Sequence, residues 1–377
     1  MTGCFARILV GLVVLVVLMA VTLHVRYGGG EPYPDLSGTP ILDESELEDV
    51  VSSPEPIGNL AVSADGRVFY TIHPESRPTG PKLLEWVDGA PKAFPSDAAQ
   101  DLFETPLGVV VDRQNRLWTV DHGNHGTGQA RLLAFDLQTG AVVHDHIFDS
   151  AVAQLGSFLQ DLQVDSTGKY VFIADLSFWR KNPGLIAYDV ELGKARRLLD
   201  SDPSVSAQDW LIRNPTKDMK FFGGVVAFKP GVDGIAIGRN DEWLYYGAMA
   251  HDTMYRVKVA DLLDDSLSAG ALAARVRAVG PKPLNDGLST DRDGNLLITD
   301  VEHSAIIRMK PDGELTTLIR SDRIRWADAL SYGPEGWLYV ADSAIPDQML
   351  QSKAHIQANA PYYVFRFKPD IDGIPGQ

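Results

Sequence analysis

Hydrophobic and polar positions alternate along this chain in one template that occurs six times. Each copy consists of a short apolar stretch, a tight acidic or glycine turn, and a second apolar stretch that ends in a polar cluster. The six copies span residues 58–73, 107–122, 160–175, 233–251, 286–303 and 328–343. Apart from a longer gap between the third and fourth copies, their spacing is close to the ~40–50 residues of one propeller blade.

A third strand-like run, short and bounded by Gly, Pro or Asp, follows each copy. In several copies a turn then leads into a fourth run. Four strands per unit, repeated six times, predict an all-β fold, a six-bladed β-propeller. The sixth unit ends after its third strand, so we expect residues 41–51 to supply its outer strand and close the ring.

An uncharged apolar run covers residues 8–23, between Arg7 and His24. It is long for a signal sequence and a little short for a full ~20-residue membrane span. Because no small-x-small cleavage site follows, we favour an uncleaved anchor over a cleaved signal, and both imply export to the periplasmic or extracellular side. The predicted division is 1–7 as a flank, 8–24 as a signal anchor or transmembrane helix, 25–50 as linker and closing strand, and 51–377 as propeller.

The 377-residue chain carries a formal net charge of −16 and has no cluster of Lys and Arg, so nucleic acid is not an expected partner. Its single cysteine, Cys4, excludes an intramolecular disulfide. We expect a monomer whose partners are a small-molecule ligand or substrate and, through the N-terminal helix, a membrane.

Two sets of polar residues are expected on one face of the propeller. In each blade the first strand runs down the channel and the second returns, so residues before the first strand and after the second share a face. The first set is Glu55, Asn59, Gln160, Asp161, Asp233, Asn285, Asp286 and Asp328. The second set includes His73, His122, His125, His251, Asp252, Glu302, His303 and Asp342.

Carboxylates and amides that converge from several blades form an oxygen-rich site of the kind that Ca²⁺ prefers. Asp233, Asp286 and Asp328 are expected to share that site as its polar anchors. Imidazoles on the same rim can act as bases or as ligands of softer metals. The alternative is structural, because an Asp or Asn before a strand often hydrogen-bonds its own backbone in a turn. Further candidate ligand-binding residues are Gln160, Asp161, His122 and His251.

The longest insertion, residues 201–224, joins an outer strand to the next inner strand and should therefore lie on the site face. Trp210, Phe221 and Phe222 in this loop are candidates to cover a bound ligand, as long loops on rigid scaffolds often do. Ordinary packing of the loop against the blades is the alternative.

The middle of the chain resembles the major royal jelly protein/yellow family. The stretches that carry the resemblance are 158–205, 231–257 and, for an earlier strand pair, 107–123. The resemblance implies a six-bladed fold and secretion, and it leaves the activity open, because members include pigment-pathway enzymes, binders of small amines and nutritional proteins. This chain departs from the secreted eukaryotic members in lacking paired cysteines and glycosylation acceptors, and in carrying an apparent anchor.

A weaker likeness links the chain to the senescence-marker/gluconolactonase propellers, which bind a divalent cation at the starts of the first strands. Residues 285–300 are similar to the stretch that bears their Asp, which implies Asp286 as ligand or base. Asp233 and Gln160 stand where those proteins have Asn, and Glu55 is similar to their Glu. The likeness therefore implies Glu55, Asp233 and Asp286 as metal ligands and Ca²⁺ as the candidate cofactor.

Two principal hypotheses follow. The first is an exported, membrane-anchored propeller that binds a small ligand, with or without a divalent cation, at the channel mouth. The second is a Ca²⁺-dependent lactonase or esterase, in which the cation polarises the carbonyl and Asp286 or His303 moves the proton. A protein-interaction scaffold and a yellow-type isomerase are further alternatives, so the sequence leaves open whether the protein is an enzyme.

Overall fold

The computed structural model describes residues 2–376 and confirms the six-bladed β-propeller. Six antiparallel sheets have four strands each. The inner strand of each sheet contacts the inner strand of the next, and the sixth contacts the first, so the ring is closed. From the first to the sixth blade, the inner strands are Ile57–Val62, Pro106–Val111, Leu159–Val164, Val232–Ile237, Leu288–Thr290 and Ala327–Tyr332.

The remaining strands follow each inner strand outward in chain order. Blade 1 continues with Val68–Ile72, Leu83–Val87 and Ala90–Ala93. Blade 2 continues with Arg116–Asp121, Arg131–Asp136 and Val142–Ile147. Blade 3 continues with Tyr170–Asp175, Gly184–Asp189 and Lys194–Leu198. Blade 4 continues with Trp243–Ala248, Thr253–Lys258 and Arg277–Pro281, and blade 5 with Leu296–Asp300, Ala305–Met309 and Leu315–Arg320.

Blade 6 joins the two ends of the propeller chain. Its second and third strands are Leu338–Asp342 and Tyr362–Phe367, and its outer strand is Glu48–Ser53. This outer strand begins later than the expected 41–51. The reason is that residues 41–42 instead donate backbone hydrogen bonds to the carbonyls of Thr317 and Leu318 in blade 5.

Shorter elements connect the blades. The α-helices in the described propeller are Gly123–Gly126, Val259–Leu263, Ala269–Ala273, Ile345–Gln348 and Lys353–Ala358. The 3₁₀ turns are Glu44–Glu46, Pro74–Ser76, Ala98–Leu102, Pro203–Val205, Phe222–Gly224 and Pro334–Gly336. Two small sheets complete the set, one parallel, pairing Glu31–Pro32 with Trp210–Leu211, and one antiparallel, pairing Lys220–Phe221 with Val226–Ala227.

The core lies between adjacent blades. The inner strands of blades 1, 2, 3, 4 and 6 are buried at every position, which is why their sequences read as nearly continuous apolar runs. Strand residues from neighbouring blades form shared apolar clusters, for example Phe172 and Leu185 of blade 3 with Ile235 and Tyr246 of blade 4. Outer strands such as Val142–Ile147 are largely exposed, because only one edge of each sheet faces the ring.

A 26-residue helix, Thr2–Tyr27, precedes the propeller and is longer than the predicted 8–24. Its Arg7–Tyr27 part is long and apolar enough to cross a membrane, and apart from its C-terminal end it is not buried against the protein. The following segment was expected to be a linker, but it is bound to the propeller. The carbonyl of Gly28 accepts a hydrogen bond from Lys229 Nζ, and Glu31–Pro32 pairs with Trp210–Leu211.

Candidate functional site

A β-bulge occurs near the start of five of the inner strands. The pairing register shifts between Leu159 and Leu162 in blade 3, between Val232 and Ile235 in blade 4, and at the equivalent places in blades 1, 2 and 6. Bulges re-aim side chains and are common beside functional sites. The second position of this segment is occupied by Gly58, Leu107, Gln160, Asp233, Asp286 and Asp328.

Glycine after two of these aspartates lets neighbouring blades approach closely. A Cβ on Gly234 would lie 2.2 Å from the carbonyl oxygen of Asp286, and a Cβ on Gly287 would lie 2.2 Å from that of Asp328. No side chain fits at that separation, so the Asp-Gly pairs are a packing requirement of the ring. They bring the aspartates of blades 4, 5 and 6 close to one another.

Four buried carboxyl groups result, and none of them pairs with Lys or Arg. Asp286 accepts hydrogen bonds from the Trp326 indole (2.7 Å) and from Gln160 Nε2 (3.4 Å). Asp161 accepts one from Asn59 Nδ2 at 2.8 Å. Neither carboxyl oxygen of Asp233 or of Asp328 has a hydrogen-bond partner, although both side chains are fully buried.

Burial dominates the electrostatics of this group. Loss of hydration raises the pKa of Asp233, Asp286 and Asp328 well above the usual range for a carboxyl, and mutual repulsion adds to the increase. Loss of hydration likewise raises the pKa of Asp161 to about 7. At neutral pH these carboxyl groups therefore stay protonated unless a cation enters the site. A bound cation would favour their charged form.

One buried histidine, His73, lies beside the carboxyl groups, and a second, His122, lies behind the cavity residue Phe158 and does not line the cavity. His73 Nδ1 accepts the Glu75 backbone N–H (3.2 Å), and its Nε2 lies 3.9 Å from Asp328 Oδ2. Burial lowers the pKa of His73 to about 4, so the ring is neutral and its proton sits on Nε2, towards Asp328. His122 stacks on Phe158 with ring centroids 4.2 Å apart, and burial holds its pKa well below the usual range.

A cavity of about 210 Å³ opens above these groups. Its buried end is formed by Gln160, Asp233 and Asp286. Its outer end reaches Trp179 and Leu350, whose side chains are 41% and 50% exposed, so the cavity runs from solvent to the carboxyl groups. The wall between them is largely apolar and comprises Phe158, Leu176, Phe178, Phe221, Phe228, Met249, Ile345 and Met349. The polar side chains His73, Glu75 and His125 complete it.

The structure places the remaining predicted site residues at other positions. Asp161 lies beside a smaller space of about 20 Å³, lined also by Asn59 and Val110. Glu55 lies in a separate groove with Tyr70 and Lys92, apart from Asp233 and Asp286. The predicted metal-ligand set of Glu55, Asp233 and Asp286 is therefore not brought together.

Two further predicted residues, His251 and Trp210, make their contacts outside the cavity. His251 Nδ1 accepts the Thr253 backbone N–H at 3.0 Å, and the ring packs edge-on against Tyr255. Trp210 packs edge-on against Tyr33, with centroids 5.0 Å apart, instead of covering the cavity. From the same loop, Phe221 does line the cavity.

His303 belongs to a different cluster from Asp286. Its Nδ1 lies 3.0 Å from Asp300 Oδ2 and 3.5 Å from Asp35 Oδ1, and the bond to Asp300 raises its pKa. Asp35, Asp300 and His303 are also the one group of acidic or imidazole side chains, in residues 2–376, whose potential ligand atoms lie within 4.8 Å of one another. No three of the described carboxyl groups in the channel meet that spacing.

Several residues in the cavity wall or beside it could not be recognised in the sequence. Trp326 stands two positions before Asp328, outside the repeated template, and its bond to Asp286 crosses between blades. Met249 and Phe158 are single apolar residues, each two positions before a predicted polar site residue, His251 and Gln160 respectively. The only sequence signal for them is their proximity to the strand ends that meet at the channel.

The fold and the buried carboxyl groups define a class, the six-bladed propellers with a cavity at one end of the ring. Residues 105–329 match the profile of the major royal jelly protein family. Because that match spans more than half of the 377 residues, the chain belongs to this family.

Solved structures with a similar fold include three propellers whose sequences are only 10% to 16% identical to this one. A luciferin-regenerating enzyme is 10% identical with a TM-score of 0.57, over 88% of this chain and 97% of that one. Regucalcin from Agrobacterium tumefaciens, a calcium-binding protein, is 12% identical with a TM-score of 0.55, over 89% and 98%. A gluconolactonase from Xanthomonas campestris is 16% identical with a TM-score of 0.55, over 90% and 98%. These identities show a shared fold alone, and no curated protein sequence gave a match.

Proposed function

We propose that this protein is an exported, membrane-anchored propeller that binds a small organic cation in the cavity. The observation that carries the proposal is the side chain of Asp233. Both of its carboxyl oxygens are buried without a hydrogen-bond donor, at the inner end of a cavity with aromatic walls. An unpartnered buried carboxylate is costly, and a ligand that supplies positive charge and N–H donors would offset that cost.

The walls fit the same ligand. Phe158, Phe178 and Phe228 present aromatic surface to the cavity, and such surface attracts cations as well as apolar groups. The volume of about 210 Å³ is below the ~300–1,000 Å³ of sites for drug-sized ligands. We therefore expect a compact molecule with an ammonium group at one end and an aromatic or aliphatic group at the other.

Calorimetric titration of the full chain in lipid nanodiscs tests the proposal. The probes are a set of monocyclic aromatic amines and the matching alcohols, which keep the ring and lack the charge. We expect the amines to bind and the alcohols to bind at least tenfold more weakly. Asp233→Asn should reduce amine affinity by tenfold or more. Asp293→Asn, which makes the same charge change on an exposed turn, should not. Equal binding of amines and alcohols would refute the proposal.

A second candidate, a Ca²⁺-dependent lactonase or esterase, is favoured by the oxygen-rich chemistry of the same residues. Asp233 and Asp328 offer four buried oxygens without donors, which are the hard ligands that Ca²⁺ takes. Asp233, Asp286 and Gln160 would hold the ion, which when bound would polarise an ester carbonyl. His73, rather than His303, is the imidazole beside these groups. Because its Nε2 carries the proton, it would hydrogen-bond the substrate and would not accept a proton.

Calcium titration separates this candidate from the first. Tight binding that Asp233→Asn abolishes would support a metal in the channel. Binding that persists in Asp233→Asn and disappears in Asp35→Asn would assign the ion to the Asp35–Asp300–His303 cluster instead. Turnover of lactones that a chelator does not affect would exclude the metal-dependent hydrolase.

A further inference from the structure

The C-terminal end of the apolar helix is fixed to the propeller at the cavity. Tyr27, the last helical residue, is only 6% exposed, and its hydroxyl donates to the carbonyl of Trp179 at 2.6 Å. Its ring lies 5.7 Å from that of Phe178. Because Phe178 and Trp179 both line the cavity, the helix ends against the cavity wall itself.

Neighbouring contacts hold the helix in this position. Arg26 donates to the carbonyl of Arg180 at 2.9 Å, and His24 Nδ1 lies 3.3 Å from the carbonyl of Val225. Beyond the helix, Lys229 Nζ contacts both the carbonyl of Gly28 (2.5 Å) and Asp209 (2.6 Å). The chain therefore has no free spacer between helix and propeller.

The length of the apolar span sets where the membrane boundary falls. Arg7–Tyr27 has 21 residues. At 1.5 Å per residue it is roughly 30 Å long, which equals the ~30 Å hydrocarbon core of a bilayer. A helix that spans this core places its last turn, with His24, Arg26 and Tyr27, at the membrane boundary, where the propeller begins. The propeller face around Tyr27 must then lie at the level of the lipid headgroups.

Apolar side chains on that face are exposed around the cavity mouth. Trp179 is 41% exposed, Leu350 is 50% exposed and Phe222 is 64% exposed. Trp179 and Leu350 line the cavity, and Phe222 stands between the cavity residue Phe221 and Val225, which contacts the helix. Aromatic side chains are enriched where proteins meet the membrane interface, because their rings suit the headgroup layer.

The charges beside these residues also fit a lipid surface. Arg26, Arg180 and Lys181 flank the helix end, in a chain whose net charge is −16. Burial lowers the pKa of Lys181 to about 8, so it stays cationic at neutral pH. Basic side chains near a membrane surface each gain about 1 kcal/mol from anionic lipids. Two acidic residues of the 201–224 insertion are paired, Asp209 with Lys229 and Asp218 with Lys220.

We propose that the face carrying Trp179, Phe222 and Leu350 rests on the bilayer that holds the helix, so that the cavity opens towards the lipid headgroups. The occupant of this surface is thus a phospholipid membrane. One consequence rests on the proposed function: the ligand would reach the cavity from the membrane interface, which selects amphiphilic cations over strongly hydrated ones.

A lipid-quenching measurement on the full chain tests this orientation. Cys4 is the only cysteine, so a Cys4→Ser background accepts a single fluorophore at Phe222→Cys or, as control, at Asp293→Cys on the opposite end of blade 5. The labelled proteins are reconstituted in phosphatidylcholine–phosphatidylglycerol vesicles that contain a spin-labelled lipid. We expect at least twofold stronger quenching at position 222 than at position 293.

Equal quenching at the two positions, in protein that resists alkaline extraction from the vesicles, would overturn the proposal. Extraction by alkali would overturn it as well, because the helix would then not hold the face to the membrane. Neither outcome depends on ligand binding, so failure of the amine titrations would leave this result intact. Position 222 is exposed and makes no cavity contact, so the label does not disturb the site.

Discussion

The indole N–H of Trp326 donates to Asp286 Oδ2 at 2.7 Å, across 40 positions of sequence and from blade 6 to blade 5. This bond favours the charged form of Asp286 against the burial that raises its pKa. Trp326 also packs in the apolar cluster that contains Tyr27, Phe158 and Phe178. One side chain thus connects the acidic end of the cavity with its wall and with the end of the N-terminal helix.

Replacing this tryptophan should change both ligand affinity and its pH dependence. In Trp326→Phe the pKa of Asp286 rises further, because the donor that stabilises its carboxylate is lost. A cationic ligand needs the carboxylate, so we expect binding at pH 7 to be about 10- to 100-fold weaker, as for a lost hydrogen bond to a charged group of ~1.5–3 kcal/mol. The binding curve should also be displaced to higher pH. Calorimetric titrations of an aromatic amine at several pH values between 6 and 9 measure both effects.

Trp118 provides a matched control for this variant. It too is fully buried and donates its indole N–H to a carboxylate, Asp112 Oδ2, at 2.7 Å, but Asp112, unlike Asp286, does not line the cavity. Trp118→Phe should lose a similar amount of stability and leave the affinity and its pH dependence as in the parent protein. If both variants weakened binding equally, the effect would be one of general stability and the role of Trp326 would be refuted.

Asp161→Asn should stabilise the protein at neutral pH and leave it unchanged in acid. Native Asp161, with its pKa raised to about 7, keeps a proton that the unfolded chain releases near pH 4. Its contribution to stability therefore falls as pH rises from about 4 to about 7. The asparagine removes that loss and can still accept the bond from Asn59, so we expect a gain on the order of 1–3 kcal/mol at pH 7.5.

Urea unfolding at pH 4.5 and pH 7.5 measures this difference in the absence of ligand and divalent cations. His73 acts in the opposite direction, since burial lowers its pKa to about 4 and its contribution is lost as pH falls from about 6.5 to 4. Because both proteins contain His73, its effect cancels in the comparison. A stability difference that is the same at both pH values would show that Asp161 is not destabilised by its charge.

The fold and part of the site could be predicted from sequence because both repeat. The template returns six times, and an Asp-Gly pair at the same place in two copies marks Asp233 and Asp286 as equivalent positions. Strand geometry then places them on one face. The structure adds the reason for the glycines. A Cβ at either position would lie 2.2 Å from a backbone carbonyl oxygen of the next blade.

Residues outside the repeat could not be placed in this way. His303 follows the second strand of its copy as the template requires, but Asp35 from the N-terminal segment comes beside it and it pairs there with Asp300. Trp210 lies in the predicted covering loop, but Tyr33 occupies its ring face. Both outcomes depend on the path of residues 28–35 across the propeller, and a local pattern carries no information about such long-range docking.

Adding a methyl group at Gly234 should disturb the ring at the acidic channel. In Gly234→Ala the new Cβ would lie 2.2 Å from the Asp286 carbonyl oxygen, so blades 4 and 5 must separate. We expect a loss of about 1–3 kcal/mol in stability, as for overpacked cores, together with weaker ligand binding. Gly80→Ala is the control, because an added Cβ there meets nothing within 4 Å. Urea unfolding compares the two variants, and equal stability would contradict the close packing described for the Asp-Gly pairs.

The closing strand, Glu48–Ser53, should contribute to the stability of the whole ring. Val51 in the strand Glu48–Ser53 is fully buried in the cluster with Ile57 and Val364, so the strand ties the start of the propeller to its last blade. Val51→Asp places a charge in that cluster, and we expect a loss of at least 3 kcal/mol in stability. Val143, in the outer strand of blade 2, is 51% exposed, so Val143→Asp should cost less than about 0.5 kcal/mol. Both substitutions put the same side chain on an outer strand, so the difference measures how firmly the closing strand is buried against its neighbours. Similar unfolding midpoints for the two variants would mean that blade 6 does not need its N-terminal strand to hold the propeller together.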